Sequence, residues 1–235
     1  MQPSTQAPAY NELGQAIGFP VTWQAKPTPT FPVLVGQYCR LEPLSPQHAA
    51  DLYAAFNADQ ENRIWTYLPY GPFIDFASFN SWLEKNLHST DPFFYSILDL
   101  EAKALGMASY LRIDPNNGVI KVGHINFSPA LQKTRAATET MYLMMRYAFE
   151  GLGYRRYEWK CDALNQPSRQ AAERLGFQFE GIFRQATVYK NRNRDTAWYA
   201  ILDKEWPALK QKFEAWLEPS NFDASGKQLK PLDSI

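Results

Sequence analysis

Only two cysteines and three histidines occur among the 235 residues. Cys39 and Cys161 are too few for a disulfide framework, and no ligand spacing joins them to His48, His88 or His124, so no metal centre is expected. Net charge is missing as well. The 24 basic and 24 acidic residues cancel, which leaves no global field to draw the chain to nucleic acid or to a membrane surface. No apolar run reaches bilayer-spanning length, and the opening MQPSTQAPAYNELGQ lacks the basic and apolar regions of a secretory signal. These absences predict a cytoplasmic, metal-free protein, monomer or homodimer, without nucleic-acid or membrane partners. What is present is a 45% hydrophobic and 15% aromatic content, ample for one medium-sized packed domain.

Residues 1–32 are rich in Pro, Gln and Thr and read as an arm; residues 219–235 read as a similar tail. Between them, 33–218 form the domain. Strands are expected over 35–44, 93–100, 104–114 and 118–127, the last two joined by the turn DPNNG. Further strands follow over 155–163, near FQFEGIFRQATVYK and near TAWYAILD. Helices are expected after Ser45, with Pro46 at the first position, around FASFNSWLEKNL, and in a final segment. Another carries Ala137, Met141, Met144 and Ala148 at helical spacing. The order predicts an α+β fold.

The turn SPALQKTRAATETM, 128–141, leads a strand into that helix without a single glycine. A helix N-terminus binds an anion through backbone N–H groups and the positive end of its dipole, and every residue except proline supplies such a donor. Here Lys133 and Arg135 stand where acidic residues are usual, and the first carboxylate is Glu139. Two cations at a helix start are unfavourable unless an anion neutralises them. Thr134 is the expected N-cap. A second helix start, NQPSRQAAERLG, has Asn165 as N-cap, Pro167 in the first turn and Gly176 as C-cap. Ser168 shares the inward face of that helix with Ala171, Ala172 and Leu175.

The run SPALQKTRAATETMYLMMRYAFEGLGYRR, with NQPSRQAAERLGFQFEGIFRQ after it, resembles the GCN5-related N-acetyltransferase (GNAT) superfamily. Within it, the chain is most similar to the ribosomal-protein N-terminal acetyltransferase (RimJ/RimL-like) branch, from about Gly36 to Trp206. The resemblance implies a GNAT fold: a mixed, mostly antiparallel, V-splayed sheet of about seven strands flanked by helices. Acetyl-CoA would lie where the strands ending near Phe127 and Ala163 separate, with its pyrophosphate on the following turn. The family pattern there is Q/R-x-x-G-x-G/A; this chain keeps Gln132 and Ala137 and has Arg135 in place of the glycine. Carried over residue by residue, the cofactor site comprises Phe127, Gln132, Lys133, Thr134, Arg135, Ala136, Ala137, Thr138 and Asn165. The matching asparagine contacts the pantetheine arm, and the matching serine, Ser168, donates to the departing thiolate. The backbone around Asn126 and Phe127 would donate to the thioester carbonyl.

The resemblance also implies an acceptor bearing a primary amine, either a protein or peptide N-terminus or a small α-amine. Direct transfer in a ternary complex is expected, because no histidine stands beside Cys161 to form a nucleophilic dyad. The general base is less plain. The glutamate that serves in the closest enzymes is replaced by Thr187, which leaves His124, Glu158 and Asp162 as candidates. A site without an evident base suits an α-amine, whose pKa near 7.7–8.0 leaves roughly a tenth neutral at pH 7. The segment RIWTYLPYGPF lies where the superfamily places substrate loops, so Trp65, Tyr67 and Tyr70 are candidate acceptor contacts. Lys190, Arg192 and Arg194 either hold an acidic group or form a solvated hairpin turn. The competing reading is a catalytically degenerate acyl-CoA-binding or regulatory domain, favoured by Arg135 and Thr187.

Overall fold

The alternating and 3.6-periodic segments become strands and helices close to their expected bounds in the computed structural model, which describes residues 7–235. In chain order these are β1 (Ala9–Tyr10), β2 (Ala16–Ile17), β3 (Leu34–Val35), β4 (Arg40–Pro43), α1 (Ala49–Asn57), α2 (Phe76–Asn86) and β5 (Phe93–Leu98). They continue through β6 (Ala104–Asp114), β7 (Val119–Phe127), α3 (Arg135–Arg146), β8 (Arg156–Asp162), α4 (Gln166–Arg174), β9 (Gln178–Tyr189), β10 (Arg192–Leu202) and α5 (Trp206–Leu217). β1 and β2 form a small hairpin; the other eight make one sheet in the order β3-β4-β5-β6-β7-β8-β10-β9. Every pairing in it is antiparallel except that of β7 with β8.

The eighth strand comes from a break in the segment expected as one strand over 35–44. The Glu139 carboxylate accepts the N–H groups of Gln37, Tyr38 and Cys39 at 2.7, 2.7 and 2.9 Å. Three converging donors hold the chain in a loop between β3 and β4 where it would otherwise run straight. Gly36 has to be glycine here, because a Cβ would overlap that carboxylate.

Each sheet face carries its own core. On one, Met141, Met144 and Met145 from α3 and Ala148 from the turn after it pack with Tyr110, Ile120, Val122, Tyr157 and, from α5, Phe213. On the other, Leu52, Phe56, Phe79 and Leu83 from α1 and α2 cover Phe94, Leu98 and Met107. Each fully buried Met or Leu contributes roughly 1.5–3 kcal/mol. Residues 1–6 of the arm lie outside the described residues; the rest of the arm and the tail contact the domain. Trp23 donates its indole N–H to the Asn116 carbonyl at 2.7 Å, Tyr95 donates to the Pro32 carbonyl at 2.7 Å, and Leu232 is buried in the α3 core.

Candidate active site

β7 and β8 stay in register only from Val119↔Arg156 to Val122↔Trp159. Beyond that point β7 runs on to Phe127 and β8 to Asp162, so the two strands part and leave backbone edges facing each other across a V. A bulge opens β7 at the same place. Gly123 pairs with Ser109 and Asn126 with Met107, with an extra residue between them, and His124 takes φ 48°. Asn126 is 1% exposed, yet neither its amide oxygen nor its amide nitrogen has a partner among the described residues. A buried amide normally finds partners, so this pair of unused groups makes Asn126 a candidate ligand contact.

The turn after β7 reaches α3 without its glycine because the left-handed residue lies elsewhere. Lys133 takes φ 60°, at a cost of about 1–2 kcal/mol for a residue with a Cβ, while Arg135 is an ordinary first helical residue. Thr134 caps the helix: its hydroxyl oxygen accepts from the Ala137 N–H at 3.1 Å and its proton goes to the Leu131 carbonyl. Arg135 and Ala136 occupy the first two helical positions, where no intrahelical acceptor exists, and among the described residues their N–H groups have no acceptor. The Arg135 guanidinium lies between the rings of Tyr38 and Phe222, 4.6 and 4.9 Å from their centroids. Gln132 turns back and donates to the Phe127 carbonyl at 2.8 Å. Thr138 is buried and accepts from Arg174, a contact that sequence reasoning missed because α4 supplies it.

On the β8 side, Asn165 caps α4 by accepting the Ser168 N–H at 3.2 Å. The Ser168 hydroxyl oxygen accepts the Trp159 indole N–H at 3.0 Å, and its proton is directed to the Cys161 thiol. The Cys161 thiol is held above its ordinary value by burial, though the Ser168 hydroxyl beside it works the other way. It is a poor nucleophile.

The aromatic segment closes over the opposite face. Tyr70 stacks on His124 at 5.6 Å, and its hydroxyl is buried without a partner among the described residues. Trp65 is instead a core residue, 3% exposed and packed on Phe56 and Phe73. Tyr67 donates to the Leu164 carbonyl at 3.2 Å. Lys190 and Arg192 donate to the carbonyls of Trp65 and Thr66, both at 2.8 Å, so these two cations of the β9–β10 turn pin the segment down. His124 is lowered to about 4 by burial first and then by Lys121 and Arg194; it is neutral at pH 7 and a weak base.

The other base candidates are already engaged. Glu158, 4% exposed, holds Arg156 at 2.9 Å, Lys160 at 3.4 Å and Arg112 at 3.6 Å. Burial opposes its ionised form, but these three cations outweigh that and keep it below the usual carboxylate range. Asp162 accepts from the Tyr189 hydroxyl and the Leu164 N–H at 2.8 and 2.9 Å. Thr187 is exposed on β9. Two surface hollows, of about 430 and 850 Å³, lie away from the V. One is at the closed end of the β7–β8 pair beside Asp114 and Arg156, the other beside Arg184 and Asn193 on the β9–β10 hairpin.

The sheet is mostly antiparallel, and its one parallel pair splays on the side from which the chain enters α3. Residues 39–178 match the model of the acetyltransferase (GNAT) domain family. A GCN5-related N-acetyltransferase from Brucella melitensis is 48% identical, with a TM-score of 0.88 over 90% of this chain and 97% of that one. The curated N-acetyltransferase YnaD of Bacillus subtilis, itself uncharacterised, is 24% identical over 156 residues, 66% of this chain and 90% of that protein. The microcin C7 self-immunity acetyltransferase MccE, solved with acetyl-CoA and AMP, is 21% identical and shares the fold at a TM-score of 0.62, over 71% of this chain and 93% of its own. The chain belongs to the GNAT acetyltransferase family and is an N-acetyltransferase of that family.

Proposed function

We propose that the protein transfers an acetyl group from acetyl-CoA to the primary amine of a small molecule or peptide by direct transfer in a ternary complex. The observation that carries this reading is the parting of β7 from β8, with the unpartnered Asn126 amide on one wall and the free N–H groups of α3 at its mouth. The residues present fit acetyl-CoA. The N–H groups of Arg135 and Ala136, with the dipole of α3 and the nearby Lys133, hold the pyrophosphate, and Gln132, Ala137 and Thr138 shape the turn around it. Asn165 meets the pantetheine arm. When bound, acetyl-CoA supplies an acetyl group activated as a thioester.

The chain's own residues do the rest. The β7 edge at Asn126 and Phe127 donates to the thioester carbonyl, and the Ser168 hydroxyl, held by Trp159, turns its proton from the Cys161 thiol to the departing sulfur and stabilises it. Neutral His124, with Tyr70 and Tyr67, orients the amine. Without a strong base among these groups, a weakly basic α-amine that is partly neutral at pH 7 is the suitable acceptor.

Calorimetry with acetyl-CoA and turnover across an amine panel test the reading together. Wild type is expected to bind and to acetylate. In Ser168→Ala, turnover should fall roughly 100-fold while acetyl-CoA affinity stays within about twofold. Unchanged turnover would remove Ser168 from the chemistry. Binding without transfer to any amine would favour the degenerate acyl-CoA-binding domain, to which the exposed Thr187 points.

A further inference from the structure

The amine-side face of the sheet holds more positive charge than its carboxylates neutralise. Lys121 of β7 stands in register with Glu158 of β8, and Lys160 directly follows the last paired residue of β8, so both lysines lie where the strands begin to part. Arg112 of β6 joins them, and Lys160 and Arg112 both cover the Trp198 ring, 2.9 and 5.3 Å from its centroid. Arg194 of β10 lies close enough to depress both Lys121 and His124.

Against these cations stands Glu158, shared by Lys160, Arg112 and Arg156, although Arg156 is held chiefly by Glu180. Asp91 is turned to the N–H groups of Arg112 and Ile113, and Asp162 to Tyr189 and Leu164. Among the described residues neither Lys121 nor Arg194 has an ion pair within 4 Å. Two donors of the group, Arg194 Nε and the Trp198 indole N–H, are buried and unpartnered among the same residues. Buried donors and cations are costly unless something accepts from them. Burial lowers Lys160 to about 7 and Lys121 to about 8, the response of ammonium groups short of counter-charge.

We infer that this cluster binds an anionic group, a carboxylate or a phosphate, carried on the same small molecule as the acceptor amine. The inference rests on the acetyltransferase reading for the amine and on the cluster itself for the anion. His124, three residues along β7 from Lys121, marks the amine end. A guanidinium and an indole N–H, each left without an acceptor, are both donors suited to an oxyanion. The segment pinned by Lys190, Arg192 and Tyr67 roofs this face, which favours a small molecule over a protein N-terminus.

The test uses product-like ligands without turnover: N-acetylglycine, N-acetylglycinamide and N-acetylated phosphoethanolamine, titrated calorimetrically into the full chain. One of the two anions should bind at least about tenfold more tightly than the amide, and which one does so separates carboxylate from phosphate. Arg194→Gln should shrink that preference to within about threefold, with Arg194→Lys retaining most of it. Equal binding of anion and amide, no binding of any of the three at millimolar concentration, or an unaltered preference in Arg194→Gln would overturn the inference. Failure to bind acetyl-CoA in the same instrument would instead remove the acetyltransferase reading while leaving an anion preference standing.

Discussion

The two ends of the parted strands are built from different materials. At the mouth, beside α3, the binding groups are backbone N–H donors whose direction is set by a helix start, and the side chain at the critical position is occupied elsewhere: Arg135 lies between Tyr38 and Phe222. On the amine side the groups are side chains drawn from β6, β7, β8 and β10, and their properties come from mutual proximity. A site made of backbone tolerates a change of residue so long as the angles survive. One made of crowded charges does not. The arginine in place of the family's glycine is therefore compatible with the first kind of site, because the left-handed conformation in this turn falls on Lys133.

The largest effect is expected where the mouth is anchored. Glu139→Ala removes the common acceptor of three N–H groups under α3 and should lower the unfolding free energy by about 3 kcal/mol or more in urea denaturation. A loss below about 1 kcal/mol would mean that water replaces the carboxylate, and that the β3–β4 loop is no part of the anchor.

Next comes a pair of substitutions that separates backbone from side chain at one position. Thr134 is already extended, with φ −97° and ψ 167°, so proline at 135 is sterically acceptable and removes one N–H. Arg135→Pro should weaken acetyl-CoA about tenfold, whereas Arg135→Ala should hold it within about twofold. Equal losses in calorimetry would return the role to the guanidinium and erase the contrast between the two ends.

The smallest effect sharpens the charged end. Lys160 has a folded value of about 7 against an ordinary 10.5, so between these limits the unfolded chain binds the extra proton and stability rises with pH. Urea denaturation from pH 7 to 9.5 should show a gain on the order of 1 kcal/mol, with Lys121 acting in the same direction. Lys160→Met should flatten much of that slope. A slope unchanged by the substitution would show that Lys160 is better neutralised than its surroundings imply.

Most strands and helices were legible because period-2 and period-3.6 patterns state which face is buried, and capping residues such as Thr134 and Asn165 act on neighbours three residues away. The break between β3 and β4 was not legible, since its cause lies about a hundred residues downstream in Glu139. Nor was the use of Lys190 and Arg192, whose acceptors are carbonyls more than 120 residues earlier in the chain. In sequence, Arg156, Glu158, Lys160 and Asp162 alternate along β8 and describe a polar face. It became an enclosed one only because β6 and β10 bring Arg112, Trp198 and Arg194 against it.

By itself, then, the sequence determined the order of elements, the two helix starts and the inward serine, because these depend on local periodicity and capping, while the splayed parallel pair was implied by the resemblance to the family. Tertiary structure alone decided where Arg135 points, why His124 is neutral, which carboxylates are already engaged and which cations lack a partner. Those properties depend on burial and on charges that meet only once distant strands are side by side.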